Sequence, residues 1–177
     1  MSLKRIQMAG FGGQGILLLG KLIALAAMYD DKEVTWMPAY GPEMRGGTAN
    51  CTVCIDEKPI TSPHVTKYET LVVMNEPSLR KFESMLVPGG DLFVNSSLIK
   101  VKPTRTDINI YYVDSTGIAE EKFGTSKVGS MVMLGAILKI TNFSTLETMA
   151  KVLEETMTGS KAKTIPMNME ALNAWTE

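Results

Sequence analysis

Six residues could bind an anion: Gly10-Phe11-Gly12-Gly13-Gln14-Gly15. They follow a short apolar run at 6–9 and open an apolar segment with no charge before Lys21. Strand, glycine turn and helix in that order give the G-x-G-x-x-G spacing its physical meaning. Glycines at 10, 12 and 15 permit a tight turn, close approach to the backbone and close helix-on-strand packing. The helix start then offers free N–H groups and a partial positive charge, which suit a phosphate or a carboxylate. The same spacing also serves a turn whose glycines only pack. A nicotinamide site adds an acid at the end of the second strand, about 20 residues on. That strand is expected over 33–37 and runs into Pro38-Ala39-Tyr40, whereas Asp30 and Asp31 precede it. Ordinary NAD binding is therefore disfavoured.

A second stretch is more specific in composition. Residues 38–50 include Tyr40, Gly41, Glu43, Arg45, Gly46, Gly47 and Asn50, with prolines at 38 and 42. Glycine and proline together fix an irregular backbone. The stretch reads as a functional loop, against the plainer reading of a long turn. Cys51 and Cys54 form a C-x-x-C, but residues 48–56 alternate as a strand, which puts the two on opposite faces. Two thiols are also too few for an iron–sulfur cluster, which takes about four ligands. His64, the only histidine, has no acid or cysteine beside it and reads as structural or surface. The 13 methionines read mostly as core filler, with a minority able to line an adaptable partner surface.

The elements that must hold these residues alternate strand and helix. Strands are expected over 5–9, 33–37, 48–56, 70–74, 91–95 and 108–113, and helices over 13–28, 77–86, 115–122, 128–140, 145–157 and 166–175. Residues 70–74 are continuously apolar, as a strand buried on both faces requires. Asp114-Ser115-Thr116 is expected to cap one helix, and Ser144-Thr145-Leu146-Glu147 reads as a capping box for another. Residues 159–163 read as a polar basic linker, and Trp175 as an anchor onto the domain or a partner. The pattern predicts one α/β domain over 1–177, a Rossmann-like, mostly parallel sheet flanked by helices, with a β-hairpin insertion near 48–65. Its parts are a glycine-turn βα unit at 4–28, the loop at 38–50 and C-terminal helices at 128–175.

A net charge of −1 offers no field for nucleic acid or an anionic membrane. No apolar run approaches the roughly 20 residues of a spanning helix. The polar start, with Lys4 and Arg5 leading into a strand, does not read as a signal peptide. A cytoplasmic protein is expected.

Four stretches taken together resemble one family: residues 10–15, residues 40–50, Pro88-Gly89-Gly90 with Asn95-Ser96-Ser97, and Val132-Met133-Leu134-Gly135-Ala136. Their order and spacing are similar to the gamma subunit of 2-oxoacid:ferredoxin oxidoreductases, a module also found inside single-chain pyruvate:ferredoxin oxidoreductases. The resemblance covers nearly the whole chain. It implies a reaction in which a 2-oxoacid and coenzyme A give an acyl-CoA, carbon dioxide and two electrons passed to ferredoxin. Thiamine diphosphate with Mg and the iron–sulfur clusters would lie on alpha, beta and ferredoxin-like delta subunits. This chain would contribute no catalytic residue and no metal ligand, and would have no complete activity alone. Its site residues would contact coenzyme A or form an interface: Gly10, Gly12, Gly13, Gln14 and Gly15 in the turn, Tyr40, Gly41, Glu43, Arg45, Gly46, Gly47 and Asn50 in the loop, and Lys127. The 2-oxoacid would be 2-oxoglutarate, a branched-chain 2-oxoacid or pyruvate. A free-standing nucleotide- or flavin-binding α/β protein is the alternative.

Overall fold

The computed structural model describes residues 3–40, 47–62 and 64–176, with Tyr40 described through its backbone alone. One six-stranded sheet runs through it. The strands are β1 (Lys4–Phe11), β2 (Glu33–Tyr40), β3 (Thr48–Asp56), β4 (Tyr68–Val73), β5 (Leu86–Asn95) and β6 (Asn109–Val113). The helices are α1 (Ile16–Tyr29), α2 (Glu76–Phe82), α3 (Ser115–Phe123), α4 (Gly129–Thr141), α5 (Leu146–Thr156) and α6 (Ile165–Leu172). The spatial order is β2-β3-β1-β4-β5-β6. From β1 through β6 the neighbours are parallel, while β3 pairs antiparallel with both β1 and β2.

Alternation sets the two faces. Ile6, Met8, Cys51, Val53, Val72 and Phe93 share a core with α1, α3, α4, α5 and α6. Leu71, Val73, Leu92 and Val94 point the other way, into a smaller core with Leu79 and Phe82 of α2. The parallel strands are thus apolar on both sides, as the unbroken apolar run at 70–74 predicts. The antiparallel part is different on that second face. There the buried Gln7 donates to Asn50 Oδ1 at 3.2 Å and accepts from Thr52 Oγ1 at 2.5 Å, and Arg5 pairs with Glu69.

The antiparallel hairpin is present, but its arms are β2 and β3 rather than two strands within 48–65. Residues 57–62 and 64–67 form no strand. Pro59 has no N–H to give to a ladder, so the segment after β3 cannot simply pair back. The first helix begins at Ile16, three residues after the expected start, because Gly13 and Gly15 take φ of 95° and 77°. The expected linker at 159–163 is a 3₁₀ turn, Gly159–Thr164.

Two helix caps also differ from expectation. Asp114 precedes α3 but makes no capping bond through its side chain. Instead Ser97, from the loop after β5, accepts from the N–H groups of Thr116 and Gly117 at 3.1 and 2.9 Å and donates to Asp114 Oδ1. The helix is capped across the fold, which a local motif cannot reveal. Ser97→Ala is expected to lower stability by about 1 kcal/mol, the usual size of a lost cap, readable in the urea midpoint at unchanged slope. The cap of α5 is Thr145, accepting from Thr148 N–H at 3.1 Å, one residue later than the Ser144 box.

Candidate functional site

The chain leaves β1 for α1 on one face of the sheet and leaves β4 for α2 on the other. β1 and β4 are neighbours, so a crevice must open between their carboxyl ends, the usual ligand position in an open α/β sheet. The glycine turn forms one lip of it. Gln14 ties the lips together: its Oε1 accepts from Phe11 N–H at 2.7 Å and its Nε2 donates to Met74 O at 3.0 Å. A Cβ on Gly10 would sit 2.6 Å from Gln14 Oε1 and 2.9 Å from Met74 Cβ, so this position needs glycine for approach. Gly12 N–H donates to Gly47 O at 2.9 Å, which brings the residue before β3 against the turn; residues 38–40 and 48–50 of the expected loop belong to β2 and β3.

Two helix starts converge there. Neither α1, whose cap position is Gly15, nor α4, whose cap position is Val128, receives a capping bond from a side chain. The first-turn N–H groups of α1 have no partner within that helix, while Gly129 N–H, at the start of α4, donates to Ser126 O of the preceding 3₁₀ turn. A Cβ on Gly15 would lie 2.7 Å from Ser130 Oγ, which measures how closely the two ends meet. Ser130 is 4% exposed. It lines a crevice of about 190 Å³ with Gly13, Gln14, Thr116 and Ser126, and exposed Glu120 also borders it. Reading the sequence alone assigns Ser130 only to close packing, as one of several small residues in an apolar helix. A hydroxyl placed at a helix start is the signal that could have marked it.

Three adjacent strand ends add buried polar groups. Asn75 follows β4, Asn95 ends β5 and Ser115 opens α3 after β6, and all three are at most 4% exposed. Asn75 Nδ2, Asn95 Oδ1 and Ser115 Oγ find no hydrogen-bond partner among the described residues. Asn95 Nδ2 donates to Thr116 Oγ1 at 3.0 Å, tying this cluster to the crevice wall.

The structure brings Gly10, Gly12, Gly13, Gln14, Gly15 and Gly47 together. Asn50 lies elsewhere, held by Gln7 on the second face of the sheet. Lys127 is exposed in the 3₁₀ turn Ser126–Val128, between crevice residues Ser126 and Gly129. Gly41, Glu43, Arg45 and Gly46 fall outside the described residues. The two thiols are free, buried and on opposite faces. Burial pushes Cys51 up to about 12 and raises Cys54, so neither is a poised nucleophile. Among the described residues no three His, Cys, Asp or Glu side chains group to hold a metal ion. No helix of the described residues is long and apolar enough to cross a membrane.

Residues 5–176 match the sequence signature of pyruvate ferredoxin/flavodoxin oxidoreductase. The chain belongs to that family. It is 36% identical to the 2-oxoglutarate synthase subunit KorC of Methanocaldococcus jannaschii, over 92% of this chain and 88% of KorC. It is 36% identical to the ketoisovalerate oxidoreductase subunit VorA of Methanothermobacter thermautotrophicus, over 98% of this chain but only 36% of VorA. Among solved structures, the gamma subunit of a keto/oxoacid ferredoxin oxidoreductase from Geobacter sulfurreducens superposes with a TM-score of 0.82. That match has 26% identity and covers 97% of this chain and 95% of the other. The gamma-subunit resemblance drawn from the four sequence stretches holds across the fold.

Proposed function

We propose that this chain is the gamma subunit of a thiamine diphosphate-dependent 2-oxoacid:ferredoxin oxidoreductase, completing the path by which coenzyme A reaches the reaction. The observation that carries this reading is the crevice where the uncapped starts of α1 and α4 meet around Ser130. The partial positive charges of the two helix starts and the first-turn N–H groups of α1 suit the phosphates of coenzyme A. Lys127 stands at the same end of the fold and would add charge. The chemistry on the 2-oxoacid, supplied by thiamine diphosphate with Mg, and the electron transfer through iron–sulfur clusters would belong to alpha, beta and delta subunits. This chain's two cysteines fall short of a cluster's ligand set. Its own work would be to bind, orient and screen the thioester-forming partner. The 2-oxoacid would be selected on the other chains.

Co-expression with the neighbouring open reading frames tests the reading directly. The assembled complex should reduce a viologen dye with one of 2-oxoglutarate, a branched-chain 2-oxoacid or pyruvate, and only with coenzyme A present. A chain that purifies yellow, or that turns over a 2-oxoacid alone, would refute it. Arg45 in the second loop gives a narrower test. Arginine anchors protein contacts and phosphates alike. Arg45→Ala should leave the subunit folded, and should lower the complex's turnover or raise its requirement for coenzyme A. Unchanged kinetics and assembly would remove Arg45 from the site.

A further inference from the structure

A further concavity lies at the opposite end of β1 from the glycine turn. Its volume is about 480 Å³, and it is bounded by the end of α4, the start of α5 and the segment after α6. Lys4, the first residue of β1, donates to Thr141 O at the end of α4 at 2.7 Å, which fixes this as the amino edge of that strand. The floor is apolar: Leu138, Leu172 and Trp175 are at most 8% exposed. Leu146 stands on the rim, 42% exposed. Lys139 holds its amine 5.5 Å over the Trp175 ring, and no carboxylate lies within ion-pair reach of it among the described residues.

VorA supplies the second observation. The match spans 98% of this chain and 36% of VorA, so nearly two-thirds of VorA lies outside the shared module. Both ends of the module stand at this one edge: Lys4 bonds to Thr141 O, next in sequence to Asn142 of the concavity's lining, and Trp175 and Thr176 line it. Polypeptide leaving the module in VorA therefore starts beside this concavity. KorC matches over 88% of its own length and carries little beyond the module.

We propose that this concavity seats the oxidoreductase subunit that corresponds to the remainder of VorA, received through an apolar side chain flanked by a carboxylate. The apolar group enters between Leu146 and Trp175, and the carboxylate pairs with Lys139. An apolar floor with an aromatic anchor and a charged rim is the arrangement of a protein interface, where a few such residues dominate affinity. This inference rests on the subunit reading above.

The test uses the co-expressed complex and the exposed rim. The double variant Leu146→Glu/Lys139→Glu should weaken binding of the partner subunit at least tenfold, while thermal melting of the free subunit stays unchanged. Lys102→Glu, an exposed charge reversal on the loop between β5 and β6, should bind as wild type. Hydrogen exchange on the wild-type complex should show protection at the backbone amides of residues 146–149 on assembly. Wild-type affinity in the double variant, equal weakening in Lys102→Glu, or no protection at 146–149 would overturn the docking site while leaving the subunit reading intact. A wild-type chain that binds no oxidoreductase subunit would overturn both.

Discussion

Gly135→Ala is expected to destabilise the chain by about 2 kcal/mol, although alanine is the better helix former. The glycine sits mid-helix in α4, where every residue from Gly129 to Leu138 is buried. A Cβ there would lie 1.9 Å from Leu172 O and 2.7 Å from the carbonyl carbon of Leu172. The obstacle is backbone of α6, so no rotamer relieves it. Replacing a helical glycine gains about 1 kcal/mol in propensity. Overpacking of a tight core costs about 1–3 kcal/mol and occasionally more, and a contact this short belongs at the upper end. For a chain of this size the net loss lowers Tm by about 4–8 °C. Trp175 follows α6 and is 8% exposed, so its emission should shift red as the helix is pushed out, measured in a Trp36→Phe background. An unchanged Tm and spectrum would show that α6 does not dock on α4 by backbone contact.

Gly135 also marks the limit of what the sequence reveals. A small residue in an apolar helix predicts close contact, but the residue that contacts it lies 37 positions away at Leu172. The elements themselves were legible, because hydrophobic period and turn residues are local: each strand overlaps its expected place, although β5 begins five residues early at Leu86, and the helix expected over 77–86 ends at Phe82. Pairing was less so. The alternation of residues 48–56 marks a half-covered strand, yet says nothing of which strands flank it, and β3 enters between β1 and β2. Caps failed for the same reason. Ser97 serves α3 from 19 residues upstream of Thr116, so no short motif could name it. At the site, the glycine turn was readable from spacing, and the structure packs Gly10 against Gln14 and Met74 and gives Gly13 and Gly15 left-handed backbone. The second helix start was not readable, since only the fold brings Ser130 to Gly15.

That convergence makes Ser130 the sharpest probe of the crevice. Its hydroxyl forms no hydrogen bond within the described residues, so Ser130→Ala removes no existing interaction of the folded chain. Deleting such a hydroxyl is close to neutral for stability, because no partner is left stranded. Under the proposed function the same hydroxyl donates to a phosphate of coenzyme A. A hydrogen bond to a charged group contributes about 1.5–3 kcal/mol, and about 1.4 kcal/mol is tenfold in affinity. Ser130→Ala in the assembled complex should therefore raise the KM for coenzyme A about tenfold or more, with Tm and the KM for the 2-oxoacid unchanged. An effect on KM at constant kcat is what losing uniform binding gives. Gly15→Val should add a fall in stability to this phenotype. It places a β-branched residue at a φ of 77° and drives its Cβ into Ser130. Should Ser130→Ala bind coenzyme A as wild type does, the meeting of α1 and α4 is a packing contact, and the phosphates must be sought elsewhere, with Arg45 the next residue to test.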